Sequence, residues 1–314
     1  MQVLDTVDAE AIRALHERGE FFWLDLHAPS DEELEMLGEL LGIPALAIQD
    51  TKEFGQRPKI DDYGARVLVV FYGADREPVE VHVHVSGDEV ITVRRAPCAH
   101  LGAARGRAMQ DPAHTEQDVV YRVLEALATS LRQLVDGHAE EVEHLEDIAF
   151  ERPSGSERRR MSELRSELFR VQQIVVPQRD MLARGGDLLE TLPGLERDVA
   201  RHPFRDVHDD LVLTANQIDY LRELLAEAIN VLLNQMAGRL TIVATIFLPL
   251  TFATGFFGMN FGWLVRHITS PWAFFLLGVG SCVLGVVATL LAIRLRSPVE
   301  PEQPERPVRP RAGP

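Results

Sequence analysis

The residues best placed to do chemistry stand at the end of an apolar run. In TFATGFFGMNFGW, residues 251–263, Gly258, Met259 and Asn260 lie between a lipophilic stretch and the aromatic residues Phe261 and Trp263. A primary amide at such a border needs a hydrogen-bonding partner, a pore or water. Two other groupings compete with it. His82 and His84 share one face of a strand at i and i+2. Alternation with Val81, Val83 and Val85 puts both on the polar face of a sheet, and two imidazoles without a third ligand make a poor zinc site. Asp61 and Asp62 are adjacent, and neighbours in a strand face opposite sides, so they do not form an acid pair. A Gly-rich phosphate loop, a nucleophile elbow and an HExxH metal pair are all missing from the sequence, so the expectation is a protein that is not an enzyme.

The elements that must position the amide are long. No charged side chain occurs from Leu240 to Val265 or from Trp272 to Ile293, and each run is near the roughly 20 residues that a helix needs to cross a bilayer. The opening residues MQVLDTVDAE have neither a basic segment nor an apolar one, so the region before the first span is expected to stay in the cytoplasm. Two crossings return the C-terminus to the same side, in keeping with Arg239 before the first span and Arg294 and Arg296 after the second. The expected location is the cell inner or plasma membrane, multi-pass, with both termini cytoplasmic. Cys98 and Cys282 then fall in different compartments, and no disulfide framework is implied. The formal net charge of -16 argues against non-specific nucleic-acid binding.

The expected fold class is an α+β cytoplasmic domain, a mixed sheet with helices, joined to a long-helix stalk and two C-terminal transmembrane helices. Residues 1–112 hold the sheet, in the runs FFWLDLH, RVLVVFYG, PVEVHVHVSG and DEVITVRR, with SDEELEMLGELLG as a helix capped by Ser30. Residues 113–200 read as an antiparallel helical hairpin, the first helix acidic towards its end and the second basic at its start, so that charges pair across it. Residues 201–258 form one long helix that contains the first span, about 240–257. Residues 259–271 are a periplasmic loop, 272–293 the second transmembrane helix and 297–314 a Pro-rich disordered tail.

From Asp206 to Phe257 the long helix would extend about 75 Å. Its apolar stripe, Leu211, Ala215, Ile218, Leu221, Leu225, Ile229, Leu232 and Met236, has a period near 3.5 and suits a bundled neighbour. The opposite stripe starts at Glu223, Glu227, Asn230 and Asn234 and continues as Ala237, Thr241, Ala244, Leu248, Thr251 and Gly255. Two spans cannot enclose a wet path. Several copies of this weakly polar face around an axis would form a narrow, uncharged channel that ends at Asn260.

At this point the sequence resembles a known family. PLTFATGFFGMN followed by a short loop and a second span is similar to the signature of CorA-type magnesium transporters, whose Gly-Met-Asn motif closes the first membrane helix. QRPKIDDY and the stretch from Phe21 to Asp50 resemble the family's N-terminal domain, LFRVQQIVVPQRD its stalk, and FRDVHDDL the start of its pore helix. The resemblance implies a homopentameric, CorA-like funnel in the lipid bilayer that passes Mg²⁺, and also Co²⁺ or Ni²⁺. It implies a selectivity motif at Gly258, Met259 and Asn260, the last as a ring of amides that holds a hydrated cation without stripping its water. Asn234, Leu240, Leu248 and Thr251 would fall at pore-lining positions, and Ala244 and Gly255 lie on the same stripe. It further implies that Mg²⁺ is a regulatory ligand as well as the substrate, bridging carboxylates of neighbouring subunits. Asp206 takes that role first, then Asp209 and Asp210, with a partner carboxylate among Asp75, Glu77 and Glu80. The alternatives are a Zn²⁺ transporter of the related ZntB-like branch and, in another class, a non-conducting membrane-anchored structural or signalling protein.

Overall fold

The computed structural model describes residues 1–110, 116–151, 153–190, 203–259, 262, 266 and 270–296. They divide into two units, Met1–Asn230 and Val231–Pro314, and the helix Pro203–Phe257 contributes to both.

The first unit is built on a six-stranded sheet of β1 (Gln2–Leu4), β2 (Phe22–His27), β3 (Lys59–Asp62), β4 (Arg66–Ala74), β5 (Pro78–Ser86) and β6 (Glu89–Arg94), in the order β1-β2-β6-β5-β4-β3. β1, β2 and β6 run parallel to one another, and β6, β5, β4 and β3 pair antiparallel in turn, so the sheet is mixed as expected. β1 and β3 are short and carry little alternation, which is why neither stands out in the sequence.

One face of the sheet is covered by α1 (Ala9–Glu17), α2 (Asp31–Leu41) and α3 (Ala45–Lys52). Phe22, Leu24, Leu26, Ile91 and Val93 of the sheet pack there against Ile12, Leu15, Leu34, Leu37 and Ile48. Local signals set these helices. Asp8 accepts from the N–H groups of Glu10 and Ala11, and Ser30 and Glu33 form a reciprocal capping box. The other face meets α5 (Glu116–Glu151) so closely that glycine is required. A Cβ on Gly73 would lie 2.6 Å from Leu127 Cδ2 and 2.8 Å from Ser130 Oγ. Ser130 Oγ itself accepts from the Ala74 N–H at 2.8 Å. With α4 (Ala99–Gln110) beside α5, the sheet is buried on both faces.

This double coverage corrects the expectation for the two histidines. His82 and His84 do share a face, but it is an interior one, and both are buried. Thr51 of α3 and Phe54 close over them: His84 Nε2 lies 2.6 Å from Thr51 Oγ1, and the His82 ring stacks on Phe54 at 4.5 Å.

α5, α6 (Gly155–Glu190) and the Pro203–Asn230 part of α7 (Pro203–Phe257) make a helical set. Arg132 and Asp136 of α5 pair with Asp210 and Gln217 of α7, so the partners advance together and the two helices run parallel, with α6 returning between them. Arg160 of α6 forks onto Glu141 of α5 through Nε and NH2 at 2.5 and 2.7 Å. This is the acidic-to-basic pairing that the charge pattern suggested. Along α7 the buried side chains are Phe204, Val207, Leu211, Thr214, Ala215, Ile218, Leu221, Leu225, Ala228 and Leu232. A strict alternation of three and four residues therefore takes Ala228 inside in place of Ile229, and Met236 is exposed.

In the second unit, Val231–Phe257 of α7 is followed, further along the described chain, by Pro271–Ala273, a π-helical turn Phe274–Val279 and α8 (Gly280–Arg296). Among the described residues, one helix, α7 from Phe204 to Phe256, is long and apolar enough to cross a membrane, and Gly280–Thr289 is a shorter apolar helix. The expected second span, 272–293, is thus helical but interrupted in its hydrogen-bond pattern by the π turn. The Pro-rich tail lies outside the described residues.

Candidate permeation path and its carboxylates

From Leu240 to the end of α7 the half-buried residues are Ile246, Pro249, Leu250 and Ala253, at helical spacing. Those of the following helix are mostly small: Gly278, Ser281, Cys282, Gly285 and Thr289, with Val286. Gly285 comes close to Pro249, where an added Cβ would sit 3.5 Å from the proline Cβ. Small residues on one helix let the proline-bearing face of the other approach closely.

At 100° per residue, Leu240, Ala244, Leu248, Thr251 and Gly255 centre about 170° from that covered face, whereas Asn234, earlier in α7, lies about 110° from it. Asn234, Leu240, Ala244, Leu248, Thr251 and Gly255 are all exposed in the single chain. Leu240 and Leu248 are 72% and 75% exposed, and Phe252 74%. Leaving such side chains in water forgoes about 1.5–3 kcal/mol each, so this surface requires lipid or further protein around it.

The hydroxyls of the same helix are arranged for a wet but uncharged surface. Thr241, Thr245, Thr251 and Thr254 donate to the carbonyls of Ala237, Thr241, Phe247 and Leu250 at 2.9, 2.6, 2.7 and 3.0 Å. With the hydrogen committed to the backbone, each oxygen presents only acceptor lone pairs to whatever faces it. For Thr251 that is the polarity that a hydrated cation requires.

The far end of α7 is closed by its glycine. The Gly258 N–H donates to Thr254 O at 2.9 Å, and the Met259 N–H to Phe256 O at 3.4 Å. A Cβ on Gly258 would stand 2.8 Å from Thr254 O, a backbone atom that cannot move aside, so the tight exit from the helix admits no side chain. Met259 is exposed. Asn260 lies outside the described residues.

The candidate regulatory carboxylates differ in their surroundings. Asp206 and Asp209 are exposed at the start of α7, Asp209 beside His208 at 3.2 Å. Asp210 is half-buried and accepts from Arg132 at 3.2 Å. The acidic character of this helix start is felt by Tyr121 of α5: burial, then Glu125, Asp206 and Asp210, push its phenol up to about 12. Asp75 and Glu77 are exposed in the β4–β5 turn, where the Asp75 N–H donates to Glu77 O at 3.1 Å.

Glu80 is different. It is buried, and its oxygens accept from the N–H groups of Gly55 and Gln56, from Tyr72 Oη at 3.0 Å and pair with His82 Nε2 at 2.8 Å. Burial pushes this carboxyl up, but the bonds from His82 and Gly55 outweigh it and hold the group below the usual range. Its oxygens are thus engaged within its own chain, unlike those of Asp75 and Glu77. Arg132 and Tyr121 are the neighbours that sequence reading missed. They come from α5, and no local pattern announces a pairing across 78 residues.

The described chain comprises a sheet domain carrying a helical set, a single helix that passes from it into an apolar unit and a glycine-closed turn at the end of that helix, and the family that matches it is one of transporters, not enzymes. The chain belongs to the family described as CorA-like Mg2+ transporter protein, which matches residues 18–295. It is 23% identical over 311 residues to the cobalt/magnesium transport protein CorA of Thermotoga maritima, covering 92% of this chain and 86% of the relative. Its fold is similar to the complete structure of the CorA magnesium transporter from Methanocaldococcus jannaschii, with a TM-score of 0.63 at 20% identity over 88% of this chain and 90% of that one. It is similar also to the full-length CmaX protein, with a TM-score of 0.64 at 22% identity over 87% and 88%.

Proposed function

We propose that this chain is one subunit of a homopentameric channel that admits Mg²⁺, with Co²⁺ and Ni²⁺ as passengers, through the inner or plasma membrane, both termini being cytoplasmic. The observation that carries the reading is the geometry of α7. The weakly polar stripe through Ala244, Leu248, Thr251 and Gly255 lies opposite the face that packs on the following helix, so it remains available to a central axis. The name of the Thermotoga maritima relative, a cobalt/magnesium transport protein, agrees with it.

In this reading five copies of the stripe enclose the path. Asn260 of each subunit holds the hydrated ion at the outer mouth, since Mg²⁺ gives up water reluctantly and amide oxygens are neutral acceptors for its shell. Thr251 supplies a second ring of acceptor oxygens, and Leu248 and Leu240 form apolar constrictions that close by excluding water. Cytoplasmic Mg²⁺ bridges Asp206 of one subunit to Asp75 or Glu77 of the next. When its concentration falls the carboxylates repel and the path opens.

The test is influx into liposomes that hold a Mg²⁺-sensitive dye, for the unaltered chain and for Asn260→Ala, with Zn²⁺ and a pH gradient in parallel. The expected result is Mg²⁺ entry that falls by about two orders of magnitude in the variant, as removal of a key orienting ligand does elsewhere. Proton-dependent Zn²⁺ flux without Mg²⁺ entry would favour the ZntB-like alternative, and no flux of either ion the structural one.

A further inference from the structure

One cluster of metal-ligating side chains lies on the sheet domain, away from the carboxylates considered above. The last turn of α1 and the turn that opens β6 bring His16, Asp88 and Glu89 together, with one ligand atom from each lying within 4.8 Å of the others. His16 Nδ1 stands 3.9 Å from Glu89 Oε2. The Glu89 side chain is 2% exposed, and Oε1 is held by Arg66. Oε2, buried and directed at His16, has no hydrogen-bond partner. A buried carboxylate oxygen left in that state has lost its water and gained nothing in return. An imidazole nitrogen 3.9 Å away is too distant to donate to it, so the pairing within the chain does not supply what is missing.

We infer that His16, Asp88 and Glu89 form a binding site for a first-row transition divalent cation of the zinc class. The spacing is close to what an ion needs. Two donors at about 2.0–2.2 Å from a tetrahedral ion lie about 3.3–3.6 Å apart. The observed 3.9 Å is a few tenths of an ångström longer, and the exposed His16 and Asp88 side chains have the freedom to close the remainder. The donor set decides the ion. One imidazole and two carboxylates suit Zn²⁺, Co²⁺ or Ni²⁺, whereas Mg²⁺ prefers oxygen ligands and retains its water. Arg66 acts as the outer partner that fixes the plane of the Glu89 carboxylate and leaves Oε2 as the donor. Its charge also weakens the attraction for a cation, which makes this a reversible site and not a permanent structural one. Because His16 and Asp88 are open to solvent, the ion has a direct way in. The chain would thus register a transition metal on its sheet domain while another ion occupies the pore.

The experiment uses the full-length protein in detergent, stripped with EDTA and held in excess Mg²⁺ so that magnesium-preferring sites are filled. Zn²⁺ is titrated by calorimetry into the unaltered chain, His16→Ala, Asp88→Asn and, as a pore control, Asn260→Ala, with circular dichroism to verify the fold of each. The expected result is one Zn²⁺ per chain in the unaltered protein and in Asn260→Ala, weakened at least about tenfold in both His16→Ala and Asp88→Asn. No Zn²⁺ binding in the unaltered chain, equal affinity in either of the two site variants, or loss of the event in Asn260→Ala would each overturn the assignment.

Discussion

At the scale of single residues, Gly258 shows how a motif reduces to steric necessity. The carbonyl of Thr254 occupies the space in which any Cβ at this position would fall. Gly258→Ala should therefore shift the turn that carries Met259, at a strain of about 1–3 kcal/mol, and reduce Mg²⁺ influx by about tenfold or more. Size-exclusion chromatography should show the same assembly as the unaltered protein, and undiminished influx would contradict this account of the glycine. His84 makes a separate prediction. Thr51 donates to Ala47 O at 2.7 Å, so the Nε2 of His84 must donate to Thr51 Oγ1, leaving Nδ1 bare in the interior. Burial, then the charges of Arg66 and His82, push this imidazole down from 6.5 to about 3. Between those values the unfolded chain binds a proton that the folded chain does not, so stability is full above pH 6.5 and declines as the pH falls below it. The decline attributable to this group is about 1.4 kcal/mol per pH unit. Melting of the protein at pH 7 and pH 5.5 should show a smaller acid loss in His84→Gln than in the unaltered chain.

At the scale of elements, the contact between β4 and α5 is set by the absence of a side chain at Gly73. Gly73→Val would place carbon atoms where Leu127 and Ser130 already stand. Overpacking of this kind costs about 1–3 kcal/mol, and loss of the Ser130 bond to the Ala74 N–H adds to it. The expected outcome is a fall of several degrees in melting temperature, and a variant as stable as the parent would show that the helix can retreat from the sheet without penalty. The interior face of that sheet also explains the misplaced histidines. Alternation tells which residues share a face, but not whether a helix covers it, and α3 with Phe54 does so here.

At the scale of the whole molecule, the proposed gate depends on charges that different subunits bring together. Asp206 is exposed and ready for a partner, whereas Glu80 is already satisfied within its own chain. Asp206→Asn should leave Mg²⁺ entry intact but raise the internal Mg²⁺ concentration needed to close the path by about tenfold, through loss of one anionic oxygen ligand per bridge. Mg²⁺ should likewise lose its ability to protect the protein from proteolysis. Closure at the same concentration as in the parent would remove Asp206 from the mechanism and turn attention to Asp209 and Asp210.

Periodicity carried the large features into the sequence itself. The heptad seam of α7 from Leu211 to Leu232, the two uncharged runs, the β-branched strands and the Gly-Met-Asn terminus are all local patterns, because an element's own repeat dictates which of its residues must leave water. Tertiary structure decided what local pattern cannot encode. It put Ala228 and not Ile229 in the seam, buried His82 and His84, and consumed Glu80 in a network with Gly55, Tyr72 and His82. It also joined Arg132 to Asp210 and His16 to Glu89 across long separations in the chain. Each of these depends on which surface another element happens to cover, and that is a property of packing between elements, not of any one of them.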